Sequence, residues 1–240
     1  MIENSNYNKE WQENRINFIL SLYDESFFKG KKILELGAFH GDIGNYFSKI
    51  GSEVTCVEGV YNNYKVMCNK YPHIKSINFD LDIDEWTFGK FDIIINFGLF
   101  YHLEKNHKLH LKNCIDNCDL LFFESVILDY NDSKIHFREE SGIDQSLSEI
   151  GGTPTSKYVE NIFIDSNVKY KRYDDIRLDS NVYLFNFSNQ LTKNFTLELP
   201  PKMSNSKLVL KSTTHTYSWL EENSDIFDGY KRRFWIVNKK

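Results

Sequence analysis

The stretch from Lys31 to Gly59, KKILELGAFHGDIGNYFSKIGSEVTCVEG, constrains the fold more than any other part of this chain. Ile33, Leu34 and Leu36 make an apolar run of strand length that stops at Gly37, with Gly41 and Gly44 close behind. No regular element continues through such a loop. Tyr46, Phe47 and Ile50 then recur at helical spacing, Gly51 offers a stop, and Val54 to Val57 resumes a β-branched run closed by Glu58. A strand, a helix and a strand joined this tightly form a right-handed βαβ unit, which requires a parallel sheet.

Such a unit carries a nucleotide-like ligand chemistry. Glycines after the first strand let a ligand approach the backbone, and the next helix opens with unpaired N–H groups. An acid ending the second strand can accept both hydroxyls of a ribose. The alternative is a crossover with a tight turn and no ligand. A dinucleotide fingerprint needs G-x-G-x-x-G, whereas Gly37, Gly41 and Gly44 are spaced otherwise.

Farther along, FDIIINFGLFYHL (Phe91–Leu103) opens with an uninterrupted apolar run expected of a strand buried on both faces. Its carboxyl end belongs beside the first strand, where an open α/β sheet presents its crevice. Glu35, Gly37, Phe39 and Gly41 resemble the acid–x–Gly–x–Gly–x–Gly motif of class I S-adenosylmethionine-dependent methyltransferases, with Phe39 standing where the family has its middle glycine. The Gly98-x-x-Tyr101-His102 segment is similar to that family's fourth-strand motif, a variant found in branches acting on tRNA wobble uridine, small molecules and sugars.

The resemblance implies a Rossmann-like α/β fold, with a mostly parallel seven-stranded sheet whose last strand is antiparallel. It implies S-adenosylmethionine as cofactor and S-adenosylhomocysteine as product. Glu35, Gly37, Ala38, Phe39 and Gly41 would shape the methionine side, and Glu58 and Gly59 the ribose. Asp80 and Leu81 would meet the adenine, with Asp80 favoured over Asp82 by its spacing from Asp92, and a turn aspartate as the alternative. Asn96 and Gly98 would close the cofactor side. His102 is the catalytic candidate, because a neutral imidazole can take a proton from the acceptor as the methyl leaves sulfur; the alternative is a pocket wall that moves no proton. Tyr101, Glu124, Glu140, Asp144 and Gln145 are candidate substrate contacts.

A chain of 240 residues is expected to form one domain over 1–240. A leading amphipathic helix over about 7–28 would pack on the sheet or lid the site. Lys169–Tyr173 reads as the sixth strand and Tyr230–Asn238 as the last. Between them, about 176–229 reads as a β-rich insertion, a substrate cap or a self-association surface, with Tyr217 and Trp219 as aromatics that could reach a ligand or only pack. The segment 128–155 reads as a less regular substrate wall, with Thr153 and Pro154 starting the next helix as N-cap and N1. His107, His110, Cys114 and Cys118 share helical spacing, but four ligands strung over three turns cannot converge on one ion, so no metal is expected.

A net charge of −5 argues against a dedicated nucleic-acid binder and for a small polar acceptor such as a sugar or metabolite. The rival is an RNA-modifying enzyme of the same fold, using a basic patch of Lys169, Lys171, Arg172, Lys231, Arg232 and Arg233. A second rival is a non-catalytic binding protein on a degenerate methyltransferase fold, which Phe39 would favour. A nicotinamide enzyme fails on glycine spacing. Four cysteines without a framework spacing, no apolar run of membrane length and no leader pattern point to a cytoplasmic protein without a membrane partner, and self-association stays open.

Overall fold

The computed structural model describes residues 6–83, 85–128, 132–140, 146–173, 178, 195–198 and 232–239. The βαβ unit is present as β1 (Lys32–Leu36), α3 (Asp42–Lys49) and β2 (Glu53–Glu58), preceded by α1 (Asn6–Leu22) and α2 (Glu25–Phe28). The chain continues through α4 (Tyr61–Lys70), β3 (Lys75–Asn78), β4 (Phe91–Phe97), a 3-10 turn (Phe100–His102), α5 (His107–Asp116) and β5 (Cys118–Val126). A hairpin of β6 (Ile135–Glu139) and β7 (Ile150–Pro154) leads into α6 (Ser156–Asp165), β8 (Lys169–Tyr173), β9 (Phe195–Glu198) and β10 (Arg232–Asn238).

The main sheet runs β3-β2-β1-β4-β5-β10-β8-β9. Strands β3 to β5 pair in parallel, and β10 enters antiparallel between β5 and β8. That is the expected arrangement of seven strands with an antiparallel last one, and β9 adds an eighth at the edge, parallel to β8. The expected insertion over 176–229 otherwise lies outside the described residues, as do Tyr217 and Trp219.

The pleat sorts the core into two layers, because successive side chains point to opposite faces. Ile33, Ile93, Ile95, Phe122, Phe234 and Ile236 join Phe18 and Ile19 of α1 and Phe47 of α3 on one face. Leu34, Ile94, Leu121, Phe123, Trp235 and Val237 join Leu111 of α5 and Phe163 of α6 on the other. The same parity turns Glu124 and Arg232 toward α1, and Asn96 toward α5.

Three local expectations are corrected. The leading helix is broken after Leu22, because the Asp24 carboxylate accepts from Ser26 N at 2.9 Å and starts the separate turn α2. Thr153 and Pro154 do not open α6: they pair with β6, and Thr155 is the N-cap, its hydroxyl accepting from Tyr158 N at 3.2 Å. Cys118 is not on the helix with Cys114 but opens β5. In addition, part of the segment read as irregular is the β6–β7 hairpin, whose alternation of Ile135 and Phe137 with His136 and Arg138 was a visible strand signal.

Candidate functional site

A cleft of about 290 Å³ opens at the carboxyl edge of β1, β2 and β4. That is the lower end of the size of ligand pockets, roughly 300–1,000 Å³. Gly37 and Gly98 form part of its lining, both in the left-handed region with φ of 67° and 66°. Each follows a strand that must turn at once beneath the cleft. A Cβ on Gly37 would press on Leu99 Cβ at 3.0 Å, and one on Gly98 would approach the Trp11 ring at 3.2 Å.

One bank of the cleft is held by carboxylates that organise backbone. Glu58 Oε2 accepts from Phe39 N and Oε1 from Val60 N, both at 2.8 Å, so this buried acid ties the loop after β1 to the start of α4. Phe39 adopts φ 51°, where a non-glycine residue is strained, and its ring stacks on His40 at 3.7 Å between centroids. Phe39 therefore borders the cleft, while Glu58 and Gly59 line it beside it. At the end of β3, Asp80 and Leu81 line the cleft as well. Asp80 Oδ1 accepts from Asp82 N at 2.9 Å. The Asp82 carboxylate is engaged by Glu104 N, Lys105 N and Asn106 N at 2.7–3.1 Å, which commits it to holding the entry to α5.

Four expected cofactor contacts lie outside this lining. Glu35 is buried beneath the loop, where Oε2 accepts from Gly44 N at 2.8 Å and from Cys56 Sγ at 3.2 Å. Burial, helped by the nearby Asp42 and Glu58 charges, pushes its carboxyl up to about 8 in spite of those two hydrogen bonds. Glu35 thus holds the start of α3 beneath the loop. Ala38 is buried in the core layer under α1. Gly41 caps α3 at φ 77° and faces α4, where a Cβ would meet Met67 Cγ at 2.8 Å. Asn96 is fully buried against α5, with Nδ2 at 2.7 Å from His110 Nε2.

The opposite bank is made by side chains brought from far apart. His102 and Tyr101 line it. His102 Nδ1 lies 2.6 Å from Glu140 Oε2, and Glu140 Oε1 accepts from Arg138 Nε and Nη2 at 3.3 Å. Burial alone would raise the Glu140 carboxyl, but His102 and Arg138 outweigh it and hold the group below its usual value. Glu140 is 5% exposed and outside the lining, where it partners His102.

Glu124 likewise lies outside the lining, wholly buried between Arg15 Nη2 at 3.3 Å and Arg232 Nη1 at 3.0 Å. Burial would lift its carboxyl, and the two guanidiniums more than reverse that. Arg232 passes the linkage to the cleft, donating through Nη2 to the Tyr101 hydroxyl at 3.1 Å. Asp144 and Gln145 lie outside the described residues.

Several lining residues were not anticipated as contacts. Trp11 and Gln12 come from α1, so the leading helix both packs on the sheet and walls the site. Leu147, between Ser146 and Ser148, reaches Gly59 so closely that a Cβ there would lie 2.8 Å from its Cδ1. An aromatic at the start of an amphipathic helix was the only signal for Trp11; nothing local marks Leu147. Among the described residues, no group of three or more His, Cys, Asp or Glu is placed to hold a metal ion. His107 Nε2 instead meets Gly152 O at 3.1 Å, and burial, with His107 nearby, depresses His110 to about 4. No described helix is long and apolar enough to cross a membrane.

No family model and no curated protein matches the chain. Solved structures do match in fold. An S-adenosylmethionine-dependent methyltransferase from Mesorhizobium loti aligns over 94% of this chain and 97% of its own, with TM-score 0.57 and 10% identity. The N-terminal domain of EvdMO1, solved in the presence of SAH and D-fucose, aligns over 70% and 78%, with TM-score 0.54 and 18% identity. Magnesium protoporphyrin IX methyltransferase (ChlM) from Synechocystis PCC 6803, solved with bound SAM, aligns over 71% and 76%, with TM-score 0.51 and 11% identity. The chain has the Rossmann-like fold of class I methyltransferases.

Proposed function

We propose that this protein is an S-adenosylmethionine-dependent methyltransferase that methylates an oxygen or nitrogen atom of a small polar acceptor such as a sugar or metabolite. One observation carries the reading: Glu58 and Asp80 on one bank and His102 on the other line a single cleft over Gly37 and Gly98. The donor, when bound, supplies a methyl group already activated by its sulfonium. Glu58, which lines the cleft at the end of β2, is suited to accept from ribose hydroxyls. Asp80 is suited to accept from the adenine amine, because Asp82 is committed to three backbone N–H groups. The two glycines admit the donor against the backbone, and His102 receives the acceptor's proton. Holding the reactants in line can supply about 7–11 kcal/mol of the barrier reduction in such a transfer.

The solved structures support the same reading by their fold and by the SAM or SAH they hold. A small acceptor is favoured over RNA because two contributors to the expected basic patch, Arg172 and Arg233, are fully buried, and Arg232 is engaged with Glu124. Lys231 lies outside the described residues.

Calorimetry with S-adenosylhomocysteine, then a screen of hydroxyl and amine acceptors for methyl uptake, tests the proposal. Micromolar binding is expected; no binding at high micromolar concentration would sink it. His102→Ala is expected to lower turnover about 10²-fold or more while leaving that binding intact. Unchanged turnover would reject the proton-transfer role.

A further inference from the structure

The proton acceptor proposed above is not an isolated side chain. His102 sits on the 3-10 turn after β4, and its Nδ1 meets Glu140 Oε2 at 2.6 Å, a charge-assisted distance. Glu140 follows β6, and its backbone N donates to Glu149 O at 2.8 Å, which closes the end of the hairpin. Its second oxygen receives the Arg138 fork, and Oε2 also accepts from Ser146 N at 3.3 Å. Room for this carboxylate depends on a missing side chain: a Cβ on Gly151 would collide with the Glu140 carboxyl group. The hairpin therefore holds an acceptor-only group against one nitrogen of the imidazole.

We infer that Glu140 is the positioning residue for His102, and that the methyl acceptor is a hydroxyl group. The inference rests on the reading of His102 as proton acceptor. A carboxylate facing Nδ1 requires the proton there, which leaves Nε2 as the basic nitrogen. It also stabilises the imidazolium that forms when Nε2 gains a second proton. An ammonium can give up its proton to bulk water before transfer, and the neutral amine then attacks through its lone pair. A hydroxyl oxygen is a weak nucleophile until its proton leaves, so it is the acceptor that needs this pair. In the step, the O–H bond breaks toward Nε2 as the new C–O bond forms. The sulfur–methyl bond breaks with its electron pair staying on sulfur, and the proton on His102 later passes to water.

The test uses the full chain labelled with ¹⁵N, without donor. Long-range ¹H–¹⁵N correlation reads the tautomer, with the His102 signals assigned by their loss in His102→Ala. The wild type is expected to carry the Nδ1–H form at His102, and Glu140→Ala to lose that preference. An Nε2–H form in the wild type overturns the inference whether or not any variant folds. For catalysis, Glu140→Ala should lower kcat about 10- to 100-fold, a share of what a general base supplies. KM for the donor and calorimetric binding of S-adenosylhomocysteine should stay within about twofold, since Glu140 does not line the cleft. Glu140→Asp should recover part of the rate. Gly151→Ala, which displaces the carboxylate without removing it, should reproduce the loss.

Methyl uptake should appear on alcohols and not on amines of matched size. Uptake on amines alone, or variants that keep wild-type kcat, overturn the inference. Failure of the wild type to bind S-adenosylhomocysteine overturns the methyltransferase reading instead, and leaves the tautomer result standing.

Discussion

The two banks of the cleft contain similar chemical groups but are assembled over different chain distances. On the β1–β3 bank, Glu58 is satisfied by Val60 N, two residues away, and by Phe39 N, nineteen away. On the β4–β10 bank, Glu124 meets Arg15 across 109 residues and Arg232 across 108, and His102 meets Glu140 across 38. The first bank is organised by backbone amides of the loop after β1 and of the start of α4. The second exists only once α1, β5 and β10 have come together. Acids thus serve two purposes here, shaping a loop on one side and neutralising buried guanidiniums on the other.

The contrast can be broken most forcefully at Glu124. Glu124→Ala leaves Arg15 and Arg232 without this shared carboxylate in a buried site. A loss of about 3–5 kcal/mol is expected, as for a buried ion pair deprived of one partner. Urea unfolding would measure it, and a change below 1 kcal/mol, on the order of a surface pair, would show the linkage to be incidental. On the other bank, Glu58→Ala should weaken S-adenosylhomocysteine binding about 10- to 100-fold, roughly 1.4–2.7 kcal/mol, because it removes the proposed ribose acceptor and loosens the Phe39 loop. Unaltered calorimetric affinity would exclude that role.

Glu35 gives a sharper, pH-dependent test. Its carboxyl is raised from 4.5 to about 8 in the folded chain, so the native state holds a proton that the unfolded state has released. Stability from this group is fully present below 4.5 and is lost as pH rises toward 8. Glu35→Gln, neutral throughout, should flatten the dependence of the urea midpoint on pH across that window. An identical slope in the two proteins would contradict the burial argument. The smallest effect is expected at Phe39. Phe39→Gly relieves a positive φ but adds backbone entropy and loses the His40 stacking, so stability should change by less than about 1 kcal/mol. A larger loss would mean that the ring, rather than the loop shape, supports this bank.

How far the site could be read in advance follows the same division. Gly37, Phe39, Glu58, Gly59, Asp80, Leu81 and Gly98 were expected from the family resemblance carried by short motifs, and they do line the cleft. Glu35, Ala38, Gly41 and Asn96 belong to the same motifs but support the lining from behind. Membership of a loop does not say which way a side chain points. Glu124 and Glu140 were noticed as acids near the right edge, yet their partners lie on other elements, and pairing across such distances leaves no local pattern. Trp11 and Leu147 reach the cleft for the same reason without any motif. The α1–α2 break was signalled by Asp24, a residue that competes for its own backbone; the helix pattern on both sides of it concealed the signal.

The resemblance to class I methyltransferases implied the antiparallel final strand, while periodicity and glycine placement along the chain were sufficient to determine a parallel α/β sheet and the crevice edge beside Gly37. These depend on contacts between near neighbours and on the handedness of short connections. Only the tertiary structure decided that Arg15, Glu124, Arg232 and Tyr101 form one linkage and that Glu140 stands behind His102. Charged partners of this kind are chosen by where strands and helices meet, and a buried charge accepts whichever opposite group the packing brings within reach.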